Sequence, residues 1–201
     1  MNTPAAPPLR RHPAQLVALA AVFVGPLVLA FVLYYGGHYA AAGRLNGGEL
    51  IEPPRPLPRV AAALADGGST GPDFLRHGWS LVVLDRPGCA RPCQDALAVT
   101  LSVQRALASE APRVQRVLLL DAACCERAWR AAGAGLVTAV ANGADGRRLL
   151  DAFSGAGAAL EPGRIWLVDP LGNLLMSYPA ATGPKVVLRD LERLLRLSRI
   201  G

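Results

Sequence analysis

Hydrophobic residues follow two different patterns along this chain. From Leu16 to Tyr35 the sequence runs for twenty residues without a charged side chain, and no polar face interrupts it. A helix of that length crosses about 30 Å of hydrocarbon at about 1.5 Å per residue. Beyond residue 73, short apolar runs alternate with amphipathic stretches, as in α/β domains. The pattern predicts one membrane span followed by one globular domain.

The charges that flank the apolar segment predict its orientation. Arg10 and Arg11 precede it, and only Arg44 follows closely. Positive charge stays on the cytoplasmic side of a membrane span. We therefore predict a cytoplasmic tail at 1–15, a transmembrane helix at 16–35, and the remaining chain outside the cytoplasm.

A cleaved signal peptide is the alternative for this segment. The small residues Ala40, Ala41 and Ala42 would then form the cleavage site. The apolar core of a signal peptide is usually about 7–15 residues long, which is shorter than the run here. The length favours an uncleaved anchor.

Glycine and proline are frequent from residue 36 to residue 73. Repeated prolines force extended backbone and remove hydrogen-bond donors, which is typical of a semi-rigid spacer. The segment has a second possible role, as an extra strand along the domain. We predict a spacer at 36–73 and the globular domain at 74–201.

The order of elements in the domain predicts its fold class. The expected elements are strand Trp79–Asp85, a helix from about Pro92 to Ser109, strand Val114–Asp121, short strand Leu136–Val140, helix Asp145–Phe153, a β-hairpin from Arg164 to Tyr178, and amphipathic helix Pro184–Ser198. A βαβ unit followed by a ββα unit is the order of the thioredoxin-like fold. The fold class is therefore α/β, a central sheet flanked by helices.

Composition narrows the classes of function. Hydrophobic residues make up 52% of the 201 residues and charged ones 18%, so little disorder is expected. The net charge is +6, but the cations are scattered along apolar helices without interleaved aromatic residues. That distribution indicates proximity to a membrane surface and no nucleic acid as a partner.

Two of the four cysteines are candidates for chemistry. Cys89 follows the first strand, and Cys93 stands at the start of the next helix. The free N–H groups at a helix N-terminus stabilise a thiolate. A separation of four residues brings both sulfurs to one face of the first turn, where they can share a metal ion or form a disulfide. The alternative is that they only pack.

The other two cysteines, Cys124 and Cys125, follow the second strand. Adjacent cysteines rarely bridge each other because the ring strains the peptide between them. One of them is a possible resolving thiol or metal ligand for the first pair, but loop cysteines without a role are the simpler interpretation.

The segment Gly78–Leu84 leading to Cys89-x-x-x-Cys93, together with Ile165–Gly172 in the hairpin, resembles the Sco/SenC family. These are membrane-anchored, thioredoxin-like proteins that deliver copper to the binuclear copper centre of cytochrome c oxidase. The resemblance covers roughly residues 78–198.

The chain also resembles a narrower, Sco-related group, the small cytochrome oxidase assembly transmembrane proteins. Their ending is similar to the one here from Val168 to Gly201. The resemblance implies a role in oxidase biogenesis.

The chain departs from the Sco/SenC pattern at its ligands. The prolines that follow each cysteine in the family are replaced by Ala90 and Gln94. The family's distal histidine belongs about nine residues before Pro170, where Glu161 stands. Family copper sites use two thiolates and that imidazole; thiolates suit Cu(I), whereas a carboxylate suits hard ions.

All three histidines, His12, His38 and His77, precede the cysteine pair. His77 is the one candidate to fold over the site, although a single histidine before a strand is usually solvated. The sequence therefore predicts a divergent relative that lacks the distal copper ligand.

The resemblance implies an assembly factor for cytochrome c oxidase in the bacterial inner membrane, with its domain in the periplasm. It would handle Cu(I), thiol redox or both, through Cys89 as the more exposed thiolate and Cys93 as its partner. Its partners would be the copper-binding oxidase subunit or other assembly factors, and it is more an assembly factor than a turnover enzyme.

Two other functions stay open. A stand-alone thiol–disulfide oxidoreductase ranks lower because the usual redox spacing is C-x-x-C. A non-catalytic docking module of an oxidase assembly complex is favoured by the missing histidine and disfavoured by the retained cysteines.

Overall fold

The computed structural model describes five stretches of the chain: 13–35, 46–85, 90–121, 133–155 and 161–198. The chain divides into two units, Met1–Leu45 and Asn46–Gly201. The first unit contains helix α1, Pro13–Tyr35, which includes Pro26.

No helix in the described part of the chain has the length and hydropathy that a membrane crossing requires. The span predicted at residues 16–35 therefore stays a prediction.

The second unit is built on one seven-stranded sheet. The strands are β1 Glu49–Pro56, β2 Ala63–Leu64, β3 Trp79–Asp85, β4 Val114–Leu120, β5 Leu136–Val140, β6 Ile165–Val168 and β7 Asn173–Tyr178. They lie in the order β1-β7-β6-β3-β4-β5-β2. Strands β3, β4 and β5 run parallel, and the other neighbours pair antiparallel.

Three α-helices accompany the described part of the sheet: α2 Arg91–Ala106, α3 Gly143–Ser154 and α4 Pro184–Leu197. The thioredoxin-like order predicted from the sequence is confirmed. The helix boundaries differ from the predicted ones by at most two residues, except at the end of α2, which stops at Ala106 and is followed by a 3₁₀ helix, Ala108–Arg113. Ala108 has a φ of 47°, which an α-helix does not accommodate.

The sheet is buried on both faces, which explains why its central strand β3 is apolar from Leu81 to Leu84. Leu81 and Val83 of β3 point into the core beneath α2 and α4. Val82 and Leu84 point into the second core, where α3 contributes Leu149 and Phe153. Side chains of a strand alternate between faces, so two buried faces require a continuous apolar run.

The Gly- and Pro-rich segment contributes an edge of the sheet. Strand β1 pairs with β7, with Glu49 opposite Ser177 and Pro56 opposite Asn173. The globular unit therefore begins at Asn46, earlier than the predicted residue 74. The segment provides an extra strand of the domain, which was the alternative to a spacer. Proline is tolerated in β1 because an edge strand has one side that needs no donors.

The hairpin motif that carries much of the family resemblance has a structural role. The Oδ1 atom of Asp169 accepts hydrogen bonds from the N–H groups of Leu171 at 2.9 Å and Asn173 at 2.7 Å. Gly172 adopts a φ of 85°, which favours glycine. Asp-Pro-Leu-Gly thus closes the turn between β6 and β7.

Candidate functional site

Cys93 lies in the first turn of α2, shortly after the C-terminal end of β3. Pro92 precedes it in that turn, where the fixed φ of proline suits the start of a helix. The backbone N–H of Cys93 donates to the carbonyl oxygen of Ala90 at 3.0 Å. One of the two predicted site thiols is therefore held at a helix N-terminus.

The side chain of Cys93 is fully buried, with 0% exposure, in the core formed by α2, α4 and one face of the sheet. Its predicted partner Cys89 lies outside the described residues, as do Cys124 and Cys125. A sulfur at this depth is open to its immediate neighbours in the fold and not to direct contact by another protein.

The loop before β6 packs directly against the turn that carries Cys93. Gly163, with a φ of 79°, faces the backbone of Pro92, and a Cβ atom at 163 would overlap the Pro92 carbonyl group. Only glycine satisfies both the backbone angle and the close approach. The Pro162–Gly163 segment therefore helps to position the start of α2.

The charge of Glu161, the residue that the sequence resemblance aligns with the Sco/SenC histidine, is already engaged. Its Oε2 atom lies 2.9 Å from Nη2 of Arg164. The same guanidinium lies 2.7 Å from Oε2 of Glu49 and donates to the hydroxyl of Ser177 at 2.9 Å. The Glu161 carboxylate thus belongs to an ion-pair network that ties the loop to β1 and β7.

Arg164 is the centre of this network, and its side chain is 6% exposed. Its guanidinium carbon lies 5.9 Å from the ring centroid of Trp166, within range of a cation–π interaction. The sequence interpretation treated Arg164 only as the start of a strand. The signal that it missed was a charged residue directly before the apolar run of β6.

A second buried arginine fixes α2 on the sheet. Arg116 of β4 is 0% exposed and donates to the hydroxyl of Thr100 at 3.2 Å and to the carbonyl oxygen of Leu97 at 3.3 Å. Burial lowers the pKa of Arg116, and the charge of Arg105 adds to that effect. The helix that begins at the candidate site is therefore anchored to β4 by polar contacts as well as by packing.

His77 is not brought to the site. It precedes the N-terminal end of β3, where its backbone N–H donates to the carbonyl oxygen of Pro170 at 2.9 Å. Cys93 follows the opposite end of that seven-residue strand. At about 3.3 Å per residue the two ends are about 20 Å apart. His12 and His38 lie outside the described residues.

The donors in the described residues fit copper only in part. No group of three or more His, Cys, Asp or Glu side chains is arranged there to hold a metal ion. The thiol of Cys93 suits Cu(I) by its softness, whereas Glu161 is a hard ligand held by Arg164. A complete copper site would need further donors from beyond this part of the chain.

A pocket of about 190 Å³ opens at the C-terminal ends of β3 and β4, beside α3. Asp85, Asp121, Arg147 and Glu161 contribute polar atoms to its wall. Ligands of α/β proteins bind at this edge of the sheet. Cys93 is not part of the wall, so the pocket and the buried thiol are separate features of the same edge.

Comparisons with known proteins agree with this architecture. The family model described as "Transmembrane-like, thioredoxin-like, C-terminal domain" matches residues 79–198. No curated protein matches the chain.

Several solved structures share the fold. Apo Sco1 of Thermus thermophilus has a TM-score of 0.59 at 17% identity, with coverage of 76% of this chain and 99% of that one. Copper-bound yeast Sco1 has a TM-score of 0.57 at 12% identity, covering 78% and 96%. Copper-bound ScoI of Bradyrhizobium japonicum has a TM-score of 0.54 at 16% identity, covering 70% and 96%.

Proposed function

Because the chain belongs to the transmembrane-like, thioredoxin-like C-terminal domain family, we propose that it is a membrane-anchored assembly factor for cytochrome c oxidase. It handles copper, thiol redox or both at the periplasmic face through Cys89 and Cys93. The observation that carries the proposal is the position of Cys93 in the first turn of the helix that follows the central strand β3. Copper-bound proteins with the same fold support it.

The membrane part of the proposal rests on the sequence. The uncharged run at 16–35 would anchor the chain in the bacterial inner membrane, with 1–15 in the cytoplasm and the domain in the periplasm. The word "transmembrane-like" in the family description agrees with an anchor.

As a copper carrier, the protein would hold Cu(I) as cargo between the two thiolates. Thiolates are the protein ligands that Cu(I) prefers, and transfer to another thiolate site requires only stepwise exchange of ligands. The partner would be the copper-binding subunit of the oxidase or another assembly factor.

Thiol–disulfide exchange is the second candidate, and one observation favours it. Glu161 is engaged by Arg164, and His77 lies at the far end of β3, so neither supplies a third copper ligand. A pair of thiols needs no third donor to exchange disulfides.

The exchange would proceed in two balanced steps. The Cys89 thiolate attacks a disulfide of the partner, forms a mixed disulfide and releases one partner thiolate. Cys93 then attacks the Cys89 sulfur, which closes the Cys89–Cys93 disulfide and releases the second partner thiol. Two electrons pass from the pair to the partner. The burial of Cys93 suits the resolving step, because a neighbouring sulfur is the one it can reach.

Titration of the reduced full-length chain with Cu(I), against a competing chelator, tests the copper role. We would compare wild type, Cys89→Ala/Cys93→Ala and the matched control Cys124→Ala/Cys125→Ala. Alanine is the better replacement because Cys93 is fully buried among apolar residues, where serine would bury a hydroxyl. One-to-one binding that is lost only in the first variant supports copper handling.

Absence of Cu(I) binding in the wild type would contradict the carrier role. Cys93→Ala then tests the exchange role, since removal of the resolving thiol should leave Cys89 in a mixed disulfide with the oxidised partner subunit. If cells that express only the Cys89→Ala/Cys93→Ala variant retain full oxidase activity, the chain acts as a docking module instead.

A further inference from the structure

The C-terminal helix α4 carries a basic stripe, defined here as Lys185, Arg189, Arg193 and Arg196. Their spacing of four, four and three residues places them on one face of a helix with 3.6 residues per turn. All four side chains are exposed. The opposite face packs into the core through Val187, Leu191 and Leu195. The stripe is therefore the solvent face of this helix.

Acidic residues lie near only the C-terminal end of the stripe, where Glu110 and Glu192 line the same pocket as Arg196. Arg59, Arg91 and Arg148 each form an ion pair with an aspartate within the described residues. None of the recorded ion pairs between described residues includes a member of the stripe.

The globular unit, residues 46–201, contains 18 basic and 15 acidic residues, and without the four residues of the stripe it contains 14 basic and 15 acidic ones. The stripe thus concentrates charge in a unit that is otherwise slightly acidic. Glu192 is the one acidic residue on the same face, so the net charge of that face is about +3.

The polypeptide enters the globular unit beside this helix. The N–H groups of Gly47 and Gly48 donate to Oδ2 of Asp190 at 2.8 and 3.1 Å. A Cβ atom at Gly47 would overlap Val186, and it would lie 3.4 Å from Nη2 of Arg189. The residues that connect this unit to the preceding segment are therefore held against α4.

We propose that the basic stripe of α4 is a docking surface for anionic phospholipid head groups. This inference rests on the anchoring part of the proposed function, since an anchored chain has a lipid surface available to it. One guanidinium group can donate two parallel hydrogen bonds to the oxygens of one phosphate, so an arginine-rich face suits phosphodiester head groups. Leu197, 77% exposed beside Arg196, adds apolar surface at the same end.

Arginine modification of the full-length chain in lipid nanodiscs tests the inference. Discs of phosphatidylcholine alone are compared with discs that contain about one third phosphatidylglycerol, and mass spectrometry gives the rate for each arginine. We expect Arg189, Arg193 and Arg196 to react at least about fivefold more slowly in the anionic discs, since each cation near such a surface contributes about fivefold to binding. Exposed Arg59, between β1 and β2, is the internal reference.

Variants and salt show whether the protection is electrostatic. Arg189→Gln/Arg193→Gln should remove most of the protection of Arg196, whereas the matched control Arg147→Gln/Arg148→Gln on α3 should leave it. High salt should abolish the protection because it shortens the screening length to about 3 Å at 1 M.

Equal modification rates in both kinds of disc would overturn the inference and leave an acidic protein surface as the occupant. Failure of the anchor is a separate result, seen as a chain that washes off the discs. If anionic discs added to such a chain still protect the arginines, the proposed lipid-binding role of the stripe is supported and the proposed membrane anchor is contradicted.

Discussion

The backbone of Gly163 lies against the carbonyl group of Pro92, the residue before the buried thiol of Cys93. This contact joins the loop before β6 to the first turn of α2. Because the nearest atoms are backbone atoms of a helix start, they cannot move aside as a flexible side chain would.

Gly163→Ala should therefore destabilise the fold by about 2–4 kcal/mol, since it adds a clash to an unfavourable backbone angle. Urea unfolding measures this change. Gly67→Ala is the control, because Gly67 has a φ of 96° with open space around it. It should cost only about 1–2 kcal/mol, for the left-handed conformation alone. Equal losses in the two variants would show that the Pro92 contact carries no energy.

Arg164→Lys should destabilise the unit by about 2–3 kcal/mol. A lysine ammonium cannot reproduce the planar fork that contacts Glu49, Ser177 and Glu161 together, and the lost contacts lie around a buried cation. The matched control is Arg148→Lys, whose ion pair with Asp145 is exposed and should be worth less than about 0.5 kcal/mol. Chemical denaturation of both variants measures the two losses of stability. Similar denaturation midpoints would show that the contacts of Arg164 stabilise the fold no more than an exposed ion pair does.

Asp190→Ala should release the start of the globular unit. The substitution removes the acceptor for the N–H groups of Gly47 and Gly48 and for the hydroxyl of Tyr178. We expect a loss of about 2–3 kcal/mol and faster amide hydrogen exchange at Gly47 and Gly48. Glu192→Ala, on the exposed face of the same helix, should change neither. Unchanged protection in Asp190→Ala would mean that strand pairing alone holds this segment.

Tyr178 should make the unit sensitive to alkaline pH. Burial raises the pKa of Tyr178 far above its ordinary range, and the charge and hydrogen bond of Asp190 raise it further. The neutral phenol is thus favoured in the folded state. Its contribution is fully present below the unfolded pKa of about 10 and is lost as the pH rises above that value, by about 1.4 kcal/mol per pH unit.

Tyr178→Phe tests this dependence. The variant should lose about 1 kcal/mol at neutral pH, with the hydrogen bond to Asp190, and should then lose stability less steeply than wild type above pH 10. Unfolding free energies between pH 8 and pH 12 give both slopes. Parallel curves would contradict the assignment.

Much of the fold was predictable because the signals are local. Strands β3 and β5 were predicted with their observed bounds, since short apolar runs between turn residues mark buried strands. The β-hairpin from Arg164 to Tyr178 was predictable for the same reason, because the hydrogen bonds of its turn join residues at most four positions apart.

Strand β1 had no comparable signal. Its prolines are typical of a spacer, and its pairing partner β7 lies more than a hundred residues later, at Glu49 and Ser177. Edge pairing of this kind depends on a surface that the rest of the chain has to build first.

Local sequence was sufficient to specify a thioredoxin-like unit and to place Cys93 at a helix start, because periodicity and turn residues act over a few positions. Long-range contacts settled the rest of the candidate site. They bury Cys93 and join Arg164, the partner of Glu161, to Glu49 of β1, while the course of β3 keeps His77 at its far end. Burial, charge pairing and separation depend on which strands become neighbours, and that information arises only when the whole sheet has formed.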